Sequence, residues 1–337
     1  MTIRKVEMDF QYMSPIFSPP VKKDQLRGNA VSNDGVTVNH WRDRWIDQAK
    51  ENHKNHGPFK DSAIDKLFNL HQYKPCIIAG SGPSLKRSVE GLKKRGGIPL
   101  VSCLHNFHLF EENGVDVDFY VSLDAGDIVI KEVSEGGRHD EGWYWENTEN
   151  KTLLAYIASP PELIDKWRGD IMWFNCPVPD DKVQEAHGEL EPFSAYVSTG
   201  GNVLGACMYI AKIMGCNPVT FVGADFSFSY TNKFHSWDSS YDKDLGNYMR
   251  AIDVYGNSVK TWQSYYNFKC FFDWLSMTVP GIYINCTEGG ILGSYAEGNL
   301  IHIKTMDLDK FLEMYHLNDM VKDVFSDITK INHKIIY

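Results

Sequence analysis

Cys76-Ile77-Ile78-Ala79-Gly80-Ser81-Gly82-Pro83-Ser84-Leu85 is the stretch on which the fold turns. A short apolar run ends in two glycines, then a proline and a serine. That is the pattern of a buried strand passing through a sharp turn into a helix. Gly80 and Gly82 permit positive φ and close backbone approach. Pro83 suits the first turn of a helix, where its absent N–H is not needed. The helix it opens spans Ser84–Arg95, with Leu85, Val89 and Leu92 on one face. The first amides of such a helix face outward at its positive end, so the turn is an anion site by construction. The same residues also serve as a plain strand-to-helix connection. The turn is neither a Walker A loop nor a complete G-x-G-x-x-G, because Leu85 stands three places after Gly82.

Outward from this turn the alternation continues. Leu100–Cys103, Asp118–Leu123, Thr152–Ile157, Ile171–Asn175, Pro218–Val222 and Ile282–Asn285 read as strands. Phe107–Asn113, Gly201–Met214 and Lys260–Thr278 read as helices between them, the second apolar nearly all round. Strands alternating with helices imply βαβ units, hence an α/β, Rossmann-like, doubly wound and mostly parallel sheet with helices on both faces. The expected organisation is an N-terminal arm and short amphipathic helix over residues 1–70, a nucleotide-binding domain over 71–306 and a C-terminal helical segment over 307–337. Within the arm, residues 1–38 read as extended and His40–Asn52 as the helix, with Trp41, Trp45 and Ile46 on one face. The charged, tryptophan-bearing stretch around 134–150 reads as an inserted loop.

Composition bounds the function. The 337 residues are 43% hydrophobic and 23% charged, ordinary for a globular chain. The net charge of −10 argues against a broad nucleic-acid surface, which needs clustered Lys and Arg. It leaves room for one small nucleotide held by backbone amides. Seven irregularly spaced cysteines with no C-x-x-C pair read as buried, reduced thiols. Met1–Tyr12 has no apolar signal core and no window approaches a membrane span, so a cytoplasmic location is expected. No tightly bound cofactor is expected. Oligomeric state and acceptor are left open.

Five further groups carry candidate chemistry. Ser198-Thr199-Gly200-Gly201-Asn202 precedes a helix that Ser198 or Thr199 can cap, and its glycines again admit a ligand. Asp124, Asp127 and Asp225 follow strands, where α/β ligands lie. An Asp there can hold a ribose hydroxyl, bind Mg²⁺ or orient a base, or simply close a loop. His235 lies ten residues past Asp225 and is a candidate general acid–base, or a solvated loop side chain. Asn106 can read a base edge through its amide. Thr287-Glu288-Gly289-Gly290 ends the last strand in a polar, glycine-rich loop.

Taken in order, Gly80–Leu85, Val121-Ser122-Leu123-Asp124, Gly200-Gly201 before a helix, Gly223-Ala224-Asp225 with His235 after it, Thr261 and Thr287–Gly290 resemble one family. It contains the flagellin motility accessory factors (Maf) and the archaeal 6-hydroxymethylpterin diphosphokinases (MptE-like). The resemblance covers roughly residues 75–305. The Gly-x-Gly-Pro-Ser-Leu turn and Asn106 are also similar to bacterial CMP-sialic acid sialyltransferases. The likeness implies a Rossmann-like fold and a nucleotide donor. Ser122-Leu123-Asp124-Ala125 is nearer the Maf pattern than the Asp-Leu-Asp-Gly of MptE-like members.

Three functions follow as expectations. The first is a glycosyltransferase with a nucleotide sugar of CMP-nonulosonate type. In it Gly80–Ser84 and Ser198–Asn202 hold phosphate, Asn106 meets the base or ribose, and His235 acts as acid or base. The second is an ATP-dependent diphosphokinase acting on a pterin-like alcohol, with Asp124 and Asp127 on Mg²⁺. The third is a non-catalytic nucleotide-binding module.

Overall fold

A computed structural model describes residues 23–190, 196–237, 247–294 and 302–316. Among the described residues, ten strands lie between Cys76 and Thr305. They are β1 Cys76–Ala79, β2 Leu100–Cys103, β3 Phe119–Ser122, β4 Thr152–Tyr156, β5 Asp170–Phe174, β6 Val219–Val222, β7 Met249–Ile252, β8 Ser258–Thr261, β9 Tyr283–Asn285 and β10 Ile303–Thr305. Eight form one sheet in the order β10-β9-β6-β1-β2-β3-β4-β5, and every pairing in it is parallel. β1, β2 and β6 are buried at every residue, the mark of a central parallel strand covered on both faces. β7 and β8 make a separate antiparallel hairpin.

The helices are α1 Lys23–His56, α2 Leu85–Lys93, α3 Phe107–Asn113, α4 Ile128–Glu132, α5 Glu141–Glu146, α6 Pro161–Lys166, α7 Asp181–Leu190, α8 Val203–Ile213, α9 Gln263–Thr278 and α10 over 308–316. α8 lies on the sheet, with Ala206, Cys207, Ile210 and Ala211 wholly buried in the core that β1, β2 and β3 share. The seven cysteines are free and buried. Among the described residues no helix is long and apolar enough to cross a membrane.

Three sequence expectations change. The N-terminal helix starts at Lys23, well before His40, so residues 23–38 are helical rather than extended. The chain has no proline between Pro20 and Pro58 to interrupt it. Residues 1–22 lie outside the described ones. The stretch around 134–150 is part of the crossover from β3 to β4 and holds α5, whose first turn is capped by Asp140 accepting from Trp143 N at 3.0 Å. Burial of Tyr144 and Trp145 anchors it. Residues Ser258–Thr261, in part read as the start of a helix, pair instead with β7, and α9 begins at Gln263.

α1 is stitched to the sheet by polar side chains that its own turns cannot use. Asn52 Nδ2 donates to Ile157 O and Ser159 O at 2.9 and 2.8 Å, and Gln48 Nε2 to Ala125 O at 3.2 Å. Both residues are buried, so each bond also satisfies a loop carbonyl that water cannot reach.

Candidate functional site

β1 leads through α2 to β2 on one side. β6, its neighbour, leads onward to β9 on the other. The strand order therefore reverses between β1 and β6, and a crevice opens beyond their carboxyl ends. Gly80 and Gly223, the first residues past the two strands, meet there back to back. A Cβ on Gly80 would stand 2.6 Å from Gly223 O, and Gly223 itself sits at φ +61°. Only glycine fits such an approach.

The next residues lock the turn. Gly82 N donates to Gly223 O at 2.9 Å. Asp225 Oδ2 accepts from Ser84 Oγ at 2.7 Å and from Ser84 N at 3.3 Å. A Cβ on Gly82 would collide with that carboxylate and stand 2.7 Å from Gly223 O. Ser236 N donates to Ser81 O at 3.0 Å, which brings the loop of His235 onto the same turn. Phe226, directly after Asp225, is held at φ +48° while its carbonyl accepts from the buried Thr261 hydroxyl at 2.6 Å. A left-handed non-glycine residue costs about 1–2 kcal/mol, and the Thr261 bond helps hold it.

This arrangement corrects one expectation. The start of α2 is occupied from within: Asp225 takes the Ser84 amide and sits at the positive end of the helix dipole. Gly80–Ser84 lines the crevice, with Ser81, Gly82 and Pro83 half-buried, but its anion is the protein's own carboxylate. Burial pushes the Asp225 carboxyl up to about 6, against the Ser84 bonds and the Arg87 charge that favour its ionised form.

The other helix start at this edge belongs to α8. Asn202 caps it, accepting from Gly205 N at 2.8 Å, rather than Ser198 or Thr199. Thr199 accepts from Gly201 N at 3.1 Å, and Ser198 is buried. The amides of Val203 and Leu204 stand in the first turn, where the helix supplies no carbonyl. Leu204 Cδ1 would lie 3.3 Å from a Cβ on Gly80, so this helix start adjoins the crevice.

Asn106 lies under the Gly80 turn. It is fully buried, and its Nδ2 donates to Ala79 O and Gly80 O, both at 3.2 Å. It holds the exit of β1 from beneath, and its buried Oδ1 has no hydrogen-bond partner among the described residues. Thr287 is likewise buried, its hydroxyl accepting from Ala224 N at 3.0 Å. Glu288 Oε1 accepts from Leu308 N at 3.2 Å, and its carbonyl and that of Thr287 receive Arg87 NH2 at 2.8 and 3.5 Å. Gly289 faces that same guanidinium at 3.6 Å from its would-be Cβ. Asp124 is exposed, with Oδ1 accepting from Gly126 N at 2.9 Å. Asp127, also exposed, is paired with Arg44 of α1. Among the described residues no group of three His, Cys, Asp or Glu side chains is placed to hold a metal ion.

His235 is half-buried and stacked on Trp237, ring centres 4.7 Å apart and 10° from parallel. Trp237 meets the buried His108 edge-on at 4.8 Å. Burial lowers the His108 imidazole to about 4 and keeps it neutral. His105, three residues before His108, pairs with Glu132. Burial disfavours the His105 charge, yet the bond to Glu132 and the charges of Glu132 and Asp124 raise its pKa overall. Sequence reasoning missed Arg87, Ser236, Phe226 and the His105–Glu132 pair. Each acts through a partner distant in sequence, and no local pattern marks it.

The family model for 6-hydroxymethylpterin diphosphokinase MptE-like proteins matches residues 50–231. Among solved structures, the MAf glycosyltransferase from Magnetospirillum magneticum AMB-1 superposes with a TM-score of 0.50 at 16% sequence identity, over 75% of this chain. This chain spans 39% of that one. At that identity the likeness is one of fold. No curated protein matches the chain by sequence.

Proposed function

We propose a nucleotide-dependent transferase function for this chain, which belongs to the 6-hydroxymethylpterin diphosphokinase MptE-like family. The observation that carries the reading is the convergence of the Gly80–Ser84 turn, Asp225 and the His235 loop at the β1/β6 switch point, through the Ser84–Asp225 and Ser236–Ser81 bonds. The chemistry favoured is glycosyl transfer from a nucleotide-activated sugar of CMP-nonulosonate type.

In this reading the donor lies along the crevice. Its phosphate is steadied by the first amides of α8 and that helix's dipole, since Asp225 already takes the Ser84 amide at the start of α2. His235 accepts the proton of the acceptor hydroxyl as its oxygen attacks the anomeric carbon. The bond from that carbon to the phosphate oxygen breaks, and its electron pair leaves with the nucleotide. Asp225 fixes the turn through Ser84, and Asp124, exposed past β3, is available to sugar hydroxyls.

Release of CMP from a CMP-nonulosonate tests this. His235→Ala should lower the rate about 100-fold or more with the fold intact. A thermal shift with ATP and Mg²⁺ but none with CMP or CMP-sugars would contradict it. Diphosphoryl transfer to a pterin alcohol is the second reading, favoured by the description of the matching family. There Asp124 would hold Mg²⁺, which would supply positive charge to the phosphates, while Asp127 is paired with Arg44. AMP release from ATP that depends on 6-hydroxymethylpterin would establish it. Absence of turnover with either donor, alongside nucleotide binding, would leave a sensing module.

A further inference from the structure

The rim of the crevice on the β9 side carries a guanidinium that no carboxylate neutralises. Arg87 stands exposed in the first turn of α2. Its Nη2 donates to the carbonyls of Glu288 and Thr287 at 2.8 and 3.5 Å, and it forms no ion pair with a carboxylate of the described residues. Arg42, Arg44, Arg95, Arg138 and Arg168 each have an acid as partner. Carbonyl partners orient a guanidinium without cancelling its charge. In a chain of net charge −10, such a cation beside a crevice marks a place for an anion. The loop that grips it is bent for the purpose: Glu288 and Gly290 lie at φ +56° and +69°, and a Cβ on Gly290 would stand 2.3 Å from Asp225 O.

Two tyrosines flank this cation. The turn between β7 and β8 lies against the same loop, with Val254 N donating to Gly290 O at 3.0 Å and Ile291 N to Asp225 O at 2.8 Å. Tyr255, in that turn, is 59% exposed, and its amide donates to Asp253 Oδ1 at 2.9 Å. Desolvation raises the Tyr255 pKa, the Glu288 charge adds to the rise and the Arg87 charge opposes it, so the phenol sits within reach of both. Tyr230, on the loop that leads from Asp225 to His235, is 72% exposed. Its hydroxyl donates to Asp253 Oδ2 at 2.7 Å and accepts from Asn257 Nδ2 at 3.1 Å. Asp253 is buried and also takes Asn257 N at 2.8 Å. Both rings therefore rest on one fixed support while open to water.

A tyrosine offers an apolar face and a polar edge, which suit the C–H face and the hydroxyls of a sugar ring. A guanidinium with donors to spare suits a carboxylate or a phosphate. The two together fit an acidic saccharide. Two rings and one guanidinium fall short of the roughly 800 Å² per partner that a stable protein complex buries. A nucleic acid needs a run of cations, which this chain does not bring.

We propose that Arg87, Tyr230 and Tyr255 form the acceptor subsite of the crevice, and that the acceptor is a saccharide bearing a carboxylate or a phosphate. The rings stack on the sugar and the guanidinium holds its acidic group. An acceptor presupposes the glycosyl-transfer reading given above, so the subsite is tested by binding alone, with no donor present.

Saturation-transfer NMR titrations of the full chain compare trigalacturonate with its methyl ester, which keeps the rings and loses the charge, and galactose 6-phosphate with galactose. One acidic probe should bind about tenfold tighter than its neutral counterpart, and which one does so tells carboxylate from phosphate. Arg87→Gln should bring that probe down to the neutral level, while Arg87→Lys, which keeps the charge, should retain part of the preference. Tyr255→Ala, at an exposed ring, should weaken acidic and neutral probes alike, by about fivefold. Equal binding of acidic and neutral probes overturns the proposal. So does a preference that survives Arg87→Gln, or tighter binding of triglutamate than of either sugar acid, which would assign the rim to an acidic peptide. The expected binding without CMP release from a CMP-nonulosonate would sink the glycosyl-transfer reading and leave the saccharide site standing.

Discussion

At Asp225 the two sides of the site meet: the carboxylate is taken out of water to finish the turn that Gly80 and Gly82 begin. Its folded pKa, about 6, lies above its ordinary 3.8. The sign follows from linkage. The folded state prefers the protonated carboxyl, so stability from this group is full below about pH 4 and is lost as pH rises through 6, about 2–3 kcal/mol in all. His108 runs the other way. Its pKa falls from 6.5 to about 4, so the fold loses stability as pH drops through that window. Asp225→Asn removes the first effect and leaves the second. The stability of this variant relative to wild type should therefore rise by about 2–3 kcal/mol between pH 4 and pH 7, measured by urea unfolding. A difference independent of pH would refute the buried-charge account. Gly82→Ala, whose methyl would meet Asp225 and Gly223, should cost about 1–3 kcal/mol by the same measurement and disturb the crevice. The glycines of this turn were legible in sequence. The carboxylate that fills the helix start was not, because Ser84 and Asp225 stand 141 residues apart.

Among elements, α8 and the β7–β8 hairpin show what local pattern conveys and what it omits. The apolar run of α8 marks a buried helix from sequence alone. Which residue caps it does not emerge, since Ser198, Thr199 and Asn202 are all good caps and only the backbone of Gly200 and Gly201, at φ +57° and +78°, selects the last. Asn202→Ala should cost about 1 kcal/mol, with Ser198→Ala smaller at that helix end; equal costs from chemical denaturation would return the cap to Ser198. The hairpin escaped the sequence for another reason. Met249–Ile252 and Ser258–Thr261 are each four residues long, too short for a periodicity to show, and the second runs straight into the aromatic helix α9. α5 was hidden similarly, in a stretch whose charge and glycine content resembles a loop until Asp140 is seen as a cap. Asn52→Leu should loosen α1 from the sheet by about 1–3 kcal/mol, since two carbonyls, of Ile157 and Ser159, would lose their partner.

For the molecule as a whole, alternation of strands and helices was enough to place the sheet and, through it, the edge at which the strand order reverses. The strand order that reverses between β1 and β6 converts six short motifs scattered over more than two hundred residues into one crevice. Not all of the six reach it equally: Asn106 and Thr287 support the crevice from beneath, while Ser81, Pro83, Asn202 and His235 are half-open to it. A crystal structure of the full chain with CMP or a CMP-sugar tests the central claim most directly. The account predicts the nucleotide beyond β1 and β6, its phosphate at the first amides of α8 and its sugar end toward His235. A nucleotide seated elsewhere, with the Gly80–Ser84 turn and α8 untouched, would contradict it.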